Sequence, residues 1–511
     1  MTEIVIKAPV VEPGEFVPYG PNIQAAGARH PDKLAVVDDR GEMSWGAFAA
    51  LAGRVARRLS ERGIGPGRMV ATLAENSAAN LATYSGALIA GACVAPLPVG
   101  SEPGALARMR ADSAAPIVFA SAAQFTVAQS LGADEVVLLD ELESWAQGAE
   151  PLPAVEVAPT DLFDMIYSSG TTGTPKGIVH DALFRSRQLD RFRAFGIGAE
   201  SVHIMATPLY SNTTLVAVLP TLTWGGTVLT MGKFDCGRFL DLAQTYRATQ
   251  TMLVPVQYMR LMDFAGFDDF DLSSFAAKFS TSAPLPGRLI ERVQARWPGN
   301  IFEFYGMTEG GVSCILNVNE NPTKWDTVGK PAEGCDVVIL GEDLRELGPG
   351  ELGEIAGRSG SMMVNYHNQP AKTKELIWRN AKGEDFIRTG DIGRLDEDGF
   401  LQLLDRKKDM ILSGGFNIYA ADLEHVLRAH PAVRDVAVIA VPSDAWGETP
   451  LGVVVADGSI DAAALMNWAN AQLGKTQRLS AIEFRDDLPR SAIGKILKRE
   501  LRAPYWEKAD A

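Results

Sequence analysis

Tyr167-Ser168-Ser169-Gly170-Thr171-Thr172-Gly173-Thr174-Pro175-Lys176-Gly177 decides how this chain is read. The run packs hydroxyls, glycines and one lysine into a stretch too flexible for a regular helix or strand. Before it, Leu162-Phe163-Asp164-Met165-Ile166-Tyr167 predicts a short strand; after it, Ile178-Val179-His180 resumes an apolar pattern. A strand feeding such a loop outlines a phosphate cradle. Glycines admit backbone N–H groups close to oxygen, hydroxyls donate, and Lys176 adds charge. The plainer alternative is a solvated surface loop. The run is not the common Gly-x-x-x-x-Gly-Lys-Ser/Thr phosphate loop, because Pro175 precedes Lys176 and Gly177 follows it. Gly474-Lys475-Thr476 ends like that loop, but Ala469 stands where its first glycine belongs. Gly474 instead reads as the end of a helix over 461–473.

Around this loop the chain alternates. From Asn22 to about Ser121, helical patterns alternate with β-rich runs at 34–37, 69–73 and 117–120. Phe48, Leu51, Val55 and Leu59 recur at helical spacing. A second block from 161 to about 320 carries candidate strands at 203–207, 227–230, 251–254 and 301–305. Such alternation implies stacked α/β layers. Over 328–404 the pattern shifts to shorter strands and turns, including 335–340 and 353–356, which suggests a small barrel-like subdomain. After Asp405 a compact α+β unit is expected: helix 421–429, strands 436–441 and 451–455, helix 461–473 and strand 481–485.

Composition narrows the function. The 511 residues are long enough for two or more domains with large cores, and 46% hydrophobic against 22% charged is an ordinary soluble balance. A net charge of −15 argues against general binding to nucleic acid or anionic membranes. Cys93, Cys236, Cys314 and Cys335 show no paired metal spacing, and their low density suits a reduced, cytoplasmic compartment. The N-terminus lacks the apolar core of a secretory signal. The apolar stretch Ala87 to Val99 is broken by Gly91, Pro96 and Pro98. It is too short to span a bilayer and reads as a buried helix followed by a strand.

The loop resembles the signature loop of the adenylate-forming superfamily of acyl-CoA synthetases, peptide-synthetase adenylation domains and beetle luciferases. Further motifs follow in that family's order. They are Tyr305-Gly306-Met307-Thr308-Glu309; Arg388-Thr389-Gly390-Asp391; Asp405-Arg406-Lys407-Lys408-Asp409 with Ser413-Gly414-Gly415-Phe416-Asn417-Ile418; and Leu488-Pro489-Arg490-Ser491-Ala492-Ile493-Gly494-Lys495-Ile496. They cover the chain from about residue 160 to its end, and the chain is identified as a member of this superfamily. The resemblance implies an α/β fold. Residues 1–404 would form a large multi-layer N-terminal adenylation domain of two α/β subdomains and a small β-barrel-like subdomain. Residues 405–409 would be a hinge, and 410–511 a small mobile α+β C-terminal domain.

The resemblance also implies roles. Carboxylate activation on ATP crowds negative charge into one small site, so catalysis is mainly positioning and charge neutralisation. Ser168, Ser169, Gly170, Thr171, Thr172, Gly173 and Lys176 would hold the β- and γ-phosphates. Glu309 and Thr171 would offer oxygens to Mg²⁺, with Thr308 beside Glu309 in the catalytic motif. Tyr305 and Gly306 would meet the adenine, and Ser282-Ala283-Pro284 resembles the small-residue turn lining its pocket; a plain turn is the alternative. Asp391 and Arg406 would contact the ribose or phosphates, and Lys408 falls at the hinge. Asp391 also reads as a turn cap, and 405–409 as an exposed alternating-charge turn. Lys495 resembles the lysine that bridges the carboxylate and the α-phosphate as the acyl-adenylate forms. Ser413-Gly414-Gly415 has little bulk, so the pantetheine arm of CoA can pass its backbone; an ordinary turn is the other reading.

Thr207-Pro208-Leu209-Tyr210-Ser211-Asn212-Thr213-Thr214 resembles the family's pocket-entry motif. Ser211 stands where many acyl-CoA synthetases have histidine. Tyr210, Ser211 and Asn212 supply no aspartate of the kind amino-acid-activating relatives place here. Gly306, Gly310 and Gly311 leave room near the reacting carboxylate, and Met307, Val216 and Val256 are apolar neighbours. These features lean towards an apolar aryl, arylpropenoic, branched or medium-chain fatty acid. The function implied is an ATP-dependent acid–CoA ligase using ATP, Mg²⁺ and CoA, with no nucleic-acid partner and no stable membrane insertion; a homodimer is admitted. The alternatives are delivery of the acyl group to a carrier protein, and a nucleotide-binding protein without the chemistry. The short stretch after Lys495 leaves no room for a fused carrier domain, and the terminal Lys508-Ala509-Asp510-Ala511 is not a peroxisomal address.

Overall fold

The structure, a computed structural model, describes residues 5–6, 16–168, 175–406, 409–414, 416–458, 460–474, 477–491 and 494–509. The chain divides into two compact units. The first comprises Met1–Trp325, Pro331–Asp336 and Gly357–Ile387; the second comprises Asp326–Lys330, Val337–Ala356 and Arg388–Ala511.

Two sheets organise the first unit. A seven-stranded sheet runs in the order Asn365–Tyr366, Lys176–Asp181, Leu162–Ser168, Cys93–Pro96, Met69–Leu73, Ile117–Ala120, Glu135–Leu138. The strand expected before the phosphate loop is there, and the chain returns beside it antiparallel, with Ser168 opposite Lys176 and Asp164 opposite His180. A nine-stranded sheet includes the consecutive neighbours Asn300–Gly306, Ala277–Ser280, Gln250–Leu253, Val202–Met205 and Thr227–Thr230, all parallel. Parallel strands present their carboxyl ends at one edge, where α/β sheets collect ligand-binding loops. Thr207, Ser282 and Thr308 all follow such ends.

Helices cover these sheets for reasons visible in the sequence. Ser44 caps Trp45–Glu61 by accepting from the Ala47 N–H, and Phe48, Leu51, Val55 and Leu59 are buried at helical spacing. Ala78–Ile89 is apolar on nearly every side and almost wholly buried, so it lies inside the core. Gly91, at φ +74°, then turns the chain into strand Cys93–Pro96, giving the buried helix and strand that Ala87 to Val99 implied.

Beyond residue 328, strands Cys335–Leu340, Gly353–Ser359, Asp385–Leu395 and Ile377–Arg379 form a sheet in that order, with Leu401–Arg406 paired to Asp385–Leu395. Of the five cuts between the two units, three fall within Cys335–Leu340, Gly353–Ser359 and Asp385–Leu395. In the second unit, strands Val433–Ser443 and Gly447–Ala456 pair antiparallel, and Ala481–Phe484 joins parallel. Helices Ala420–Arg428 and Ala462–Asn470 bury Leu423, Leu427, Leu465 and Ala469 in a core with Val436, Val438 and Val454. This is the α+β unit the periodicities imply. Among the described residues no helix is long and apolar enough to cross a membrane.

Candidate functional site

Ser169, Gly170, Thr171, Thr172 and Gly173 lie outside the described residues. Their flanks do not. Lys176 holds its ammonium 4.9 Å from the centre of the Tyr366 ring, a cation–π distance. Tyr366 donates its hydroxyl to Glu309 Oε1 at 2.6 Å, and burial together with that carboxylate keeps the phenol protonated. The Met363 N–H donates to the Glu309 carbonyl. The loop lysine and the motif glutamate are therefore linked through Tyr366, a residue that sequence reasoning did not single out.

Strand Asn300–Gly306 carries Tyr305 to the sheet edge, and the turn after it brings Thr308 and Glu309. Gly310 and Gly311 have φ of +74° and +79°. A Cβ on Gly310 would stand 2.1 Å from the Ser361 carbonyl oxygen, and one on Gly311 2.7 Å from that of Gly357. The space these glycines leave is taken by backbone, so close packing is what requires them. A Cβ on Gly306 would meet the Val312 carbonyl at 3.0 Å. Met307 packs against Ile178, Met362, Met363, Tyr366 and Ile387.

The turn Ser282-Ala283-Pro284 and the segment Thr207 to Thr214 meet. Ser282 adopts φ +76°, unusual for a residue with a Cβ, and its hydroxyl is 2.8 Å from that of Thr213. After Ala283 and Pro284, the Leu285 N–H donates to Glu303 at 3.0 Å. Burial lifts the Glu303 carboxyl to about 8, against the effect of that hydrogen bond. Ser211 caps helix Asn212–Thr223 by accepting from the Thr213 N–H, and Asn212 Oδ1 accepts from Arg185 at 2.8 Å. Asn76, another residue without a sequence signal, clamps the motif by donating to Thr207 O and accepting from the Leu209 N–H. Tyr210 is half-buried, and burial raises its phenol to about 12. Val216 packs into a cluster with Phe192, Phe195, Phe279, Phe302 and Phe304.

The second unit holds the remaining predicted residues. Asp391 and Arg406 are opposite each other in an antiparallel pair, with Arg406 Nε 3.2 Å from Asp391 Oδ1. Lys408 and Gly415 lie outside the described residues. Ser413 ends a short strand, and Gly414 follows at φ +58°, donating to the Trp446 carbonyl. Leu412, Phe416 and Trp446 around it are more than half exposed. Lys495 sits in a closed turn. Its carbonyl accepts from the Ser491 N–H at 2.8 Å, and Arg490 donates to the Gly494 carbonyl at 2.7 Å while pairing with Asp435.

Comparison with known proteins identifies the chain. The family of AMP-binding enzymes matches residues 23–367, and the AMP-binding enzyme C-terminal domain matches 422–495. The chain belongs to the AMP-binding enzymes. A feruloyl-CoA synthase from Amycolatopsis is 32% identical over 93% of this chain and 96% of its own. A long-chain-fatty-acid–CoA ligase from Mycobacterium tuberculosis is 30% identical over 91% and 93%. The crystal structure of ATP-bound MatB from Rhodopseudomonas palustris superimposes on this AMP-binding enzyme with TM-score 0.86, at 30% identity, over 95% of this chain and 99% of that one.

Proposed function

We propose that this AMP-binding enzyme is an AMP-forming acid–CoA ligase acting on an apolar aryl, arylpropenoic, branched or medium-chain fatty acid. One observation in the site carries the reading most directly: Lys176, Tyr366 and Glu309 converge beside the phosphate loop. A carboxylate oxygen of the acid attacks the α-phosphorus of ATP, and pyrophosphate leaves. The thiol of CoA then attacks the acyl carbon, forming the thioester and releasing AMP. Lys176 and the loop bind the phosphates. Lys495 offsets charge on the carboxylate and α-phosphate in the first step, and Asp391 with Arg406 orients the ribose. Ser413 and Gly414 admit the pantetheine arm in the second. The domain boundary at 404/405, with a hinge at 405–409, belongs to the same reading.

The donor set fits Mg²⁺. Among the described residues no group of three His, Cys, Asp or Glu side chains gathers to hold a metal alone. Magnesium at phosphates needs only one or two carboxylates, its other ligands being phosphate oxygens and water. Glu309 would supply that carboxylate, and the ion would neutralise phosphate charge. Relatives named for feruloyl and long-chain fatty acids support an apolar acyl group. A cytoplasmic location and a homodimer complete the proposal, to be checked by fractionation and by light scattering.

The deciding experiment measures pyrophosphate and AMP release with ATP and Mg²⁺ over benzoate-type, cinnamate-type and fatty acids, each with and without CoA. Pyrophosphate release confined to one acid class, with AMP turnover requiring CoA, is expected. Turnover indifferent to CoA would transfer the acceptor role to a carrier protein. No acid-dependent release would leave a nucleotide binder and overturn the ligase.

A further inference from the structure

One buried cluster has no part in the chemistry just described. The Asp164 carboxylate, wholly buried, accepts from the Tyr84 hydroxyl at 2.8 Å, from Arg185 Nε at 2.8 Å and from His180 Nδ1 at 2.6 Å. The other ring nitrogen of His180, Nε2, lies 2.7 Å from the Thr308 carbonyl oxygen. The imidazole is wholly buried and stacks on Phe184 at 3.9 Å. Arg185 continues outward to Gln188 and to Asn212, each at 2.8 Å.

Asp164 is answered from several sides at once. Burial pushes its carboxyl up, but Arg185 and His180 outweigh burial and hold the acid at about 2. Arg185 Nη2 lies 2.7 Å from Asp164 Oδ2 and 3.1 Å from His180 Nδ1, so carboxylate, guanidinium and imidazole pack as one unit.

The members of this cluster belong to segments that the function uses separately. Asp164 stands on the strand entering the phosphate loop and His180 on the strand leaving it. Thr308 precedes Glu309, and Asn212 opens the helix of the pocket-entry motif. We infer that His180 is a positioning residue: its buried ring, seated between Asp164 and the Thr308 carbonyl, ties that carbonyl to the loop hairpin and so holds Glu309 in place, while Arg185 extends the brace to Asn212. The inference rests on the proposed role of Glu309. Precision of this kind in the groups behind a reacting centre is commonly worth a factor of about 10–100 in rate.

The test compares His180→Gln with wild type in acid-dependent pyrophosphate release. The variant should keep its melting temperature within a few degrees, lose about tenfold in kcat, require more Mg²⁺ for half-maximal rate, and keep its KM for the acid. Unchanged kcat and Mg²⁺ requirement in folded variant, or a loss that tracks the unfolded fraction, refutes the positioning role. Should His180→Gln not fold, Asp164→Asn keeps the shape and weakens the hold on the ring; it should reproduce the same kinetic split, and failure to do so is refutation. Failure of the ligase reading shows separately, as wild-type enzyme without acid-dependent release.

Discussion

Replacing Glu303 with glutamine should abolish the pH dependence that this one residue imposes on stability. Glu303 is fully buried on strand Asn300–Gly306, two residues before Tyr305. Its carboxyl accepts from the Leu285 N–H, and its register partner Ser280 carries a buried hydroxyl with no hydrogen-bond partner. Burial raises the folded-state pKa from 4.5 to about 8. The sign follows directly. Between those values the folded chain keeps a proton that the unfolded chain releases, so stability is complete below about 4.5 and falls as pH rises towards 8. Converting the rise to free energy caps the loss at roughly 5 kcal/mol, and a protein that relaxes around the charge will show less. Glutamine imitates the protonated acid: its oxygen accepts from Leu285 and its amide can donate to Ser280. Urea unfolding of both proteins at pH 5 and pH 8.5 is the assay. The variant should match wild type within about 1 kcal/mol at pH 5 and exceed it at pH 8.5 by roughly 1–5 kcal/mol. A difference independent of pH would mean that Glu303 ionises normally, and the burial argument would fail.

Gly310→Ala should cost roughly 3 kcal/mol of stability, from a left-handed backbone and a Cβ pressed on the Ser361 carbonyl; a wild-type denaturation midpoint would refute this. Lys495→Ala should slow acid-dependent pyrophosphate release by about 100-fold or more, while calorimetric nucleotide affinity changes only a few-fold; adenylate formation at the wild-type rate would remove the lysine from the first step. Gly414→Ala would place a Cβ 2.7 Å from the Trp446 ring, but that ring is 61% exposed and free to yield. Stability should fall by only about 1 kcal/mol, and thioester formation from supplied acyl-adenylate should slow more than adenylate formation itself; equal slowing of both would contradict a role at the thiol.

What the sequence makes legible is local. Val36-Val37, Val94 and Val118 sit in strands because their branched side chains suit a buried pleat, and Phe48, Leu51, Val55 and Leu59 mark their helix by spacing alone. The Ser/Thr/Gly-rich run over 168–177, too, stands out by composition. Its antiparallel return is less visible, since nothing in Ile178-Val179-His180 distinguishes a returning strand from a continuing one. Gly310 and Gly311 stand out in the sequence as small residues, and only the structure shows the carbonyls of Ser361 and Gly357 packed where a Cβ would stand. That Ser211 caps a helix and Asn212 receives Arg185 is likewise seen only in the fold. Such partners are chosen by tertiary packing: Tyr366 meets Glu309 across 57 residues of chain, and His180 meets Thr308 across 128. Yet the need for a partner was readable. Asp164 and His180 fall beside apolar neighbours in their strands, in a position that a lone polar group cannot occupy cheaply, because burying an unpaired ion or an unsatisfied ring nitrogen costs more than a strand's packing returns. The sequence therefore states the demand, two polar groups in the hairpin that must be answered, and only the fold names the answer. Where that answer reaches a catalytic motif, as it does at Thr308, the demand is itself a pointer to function.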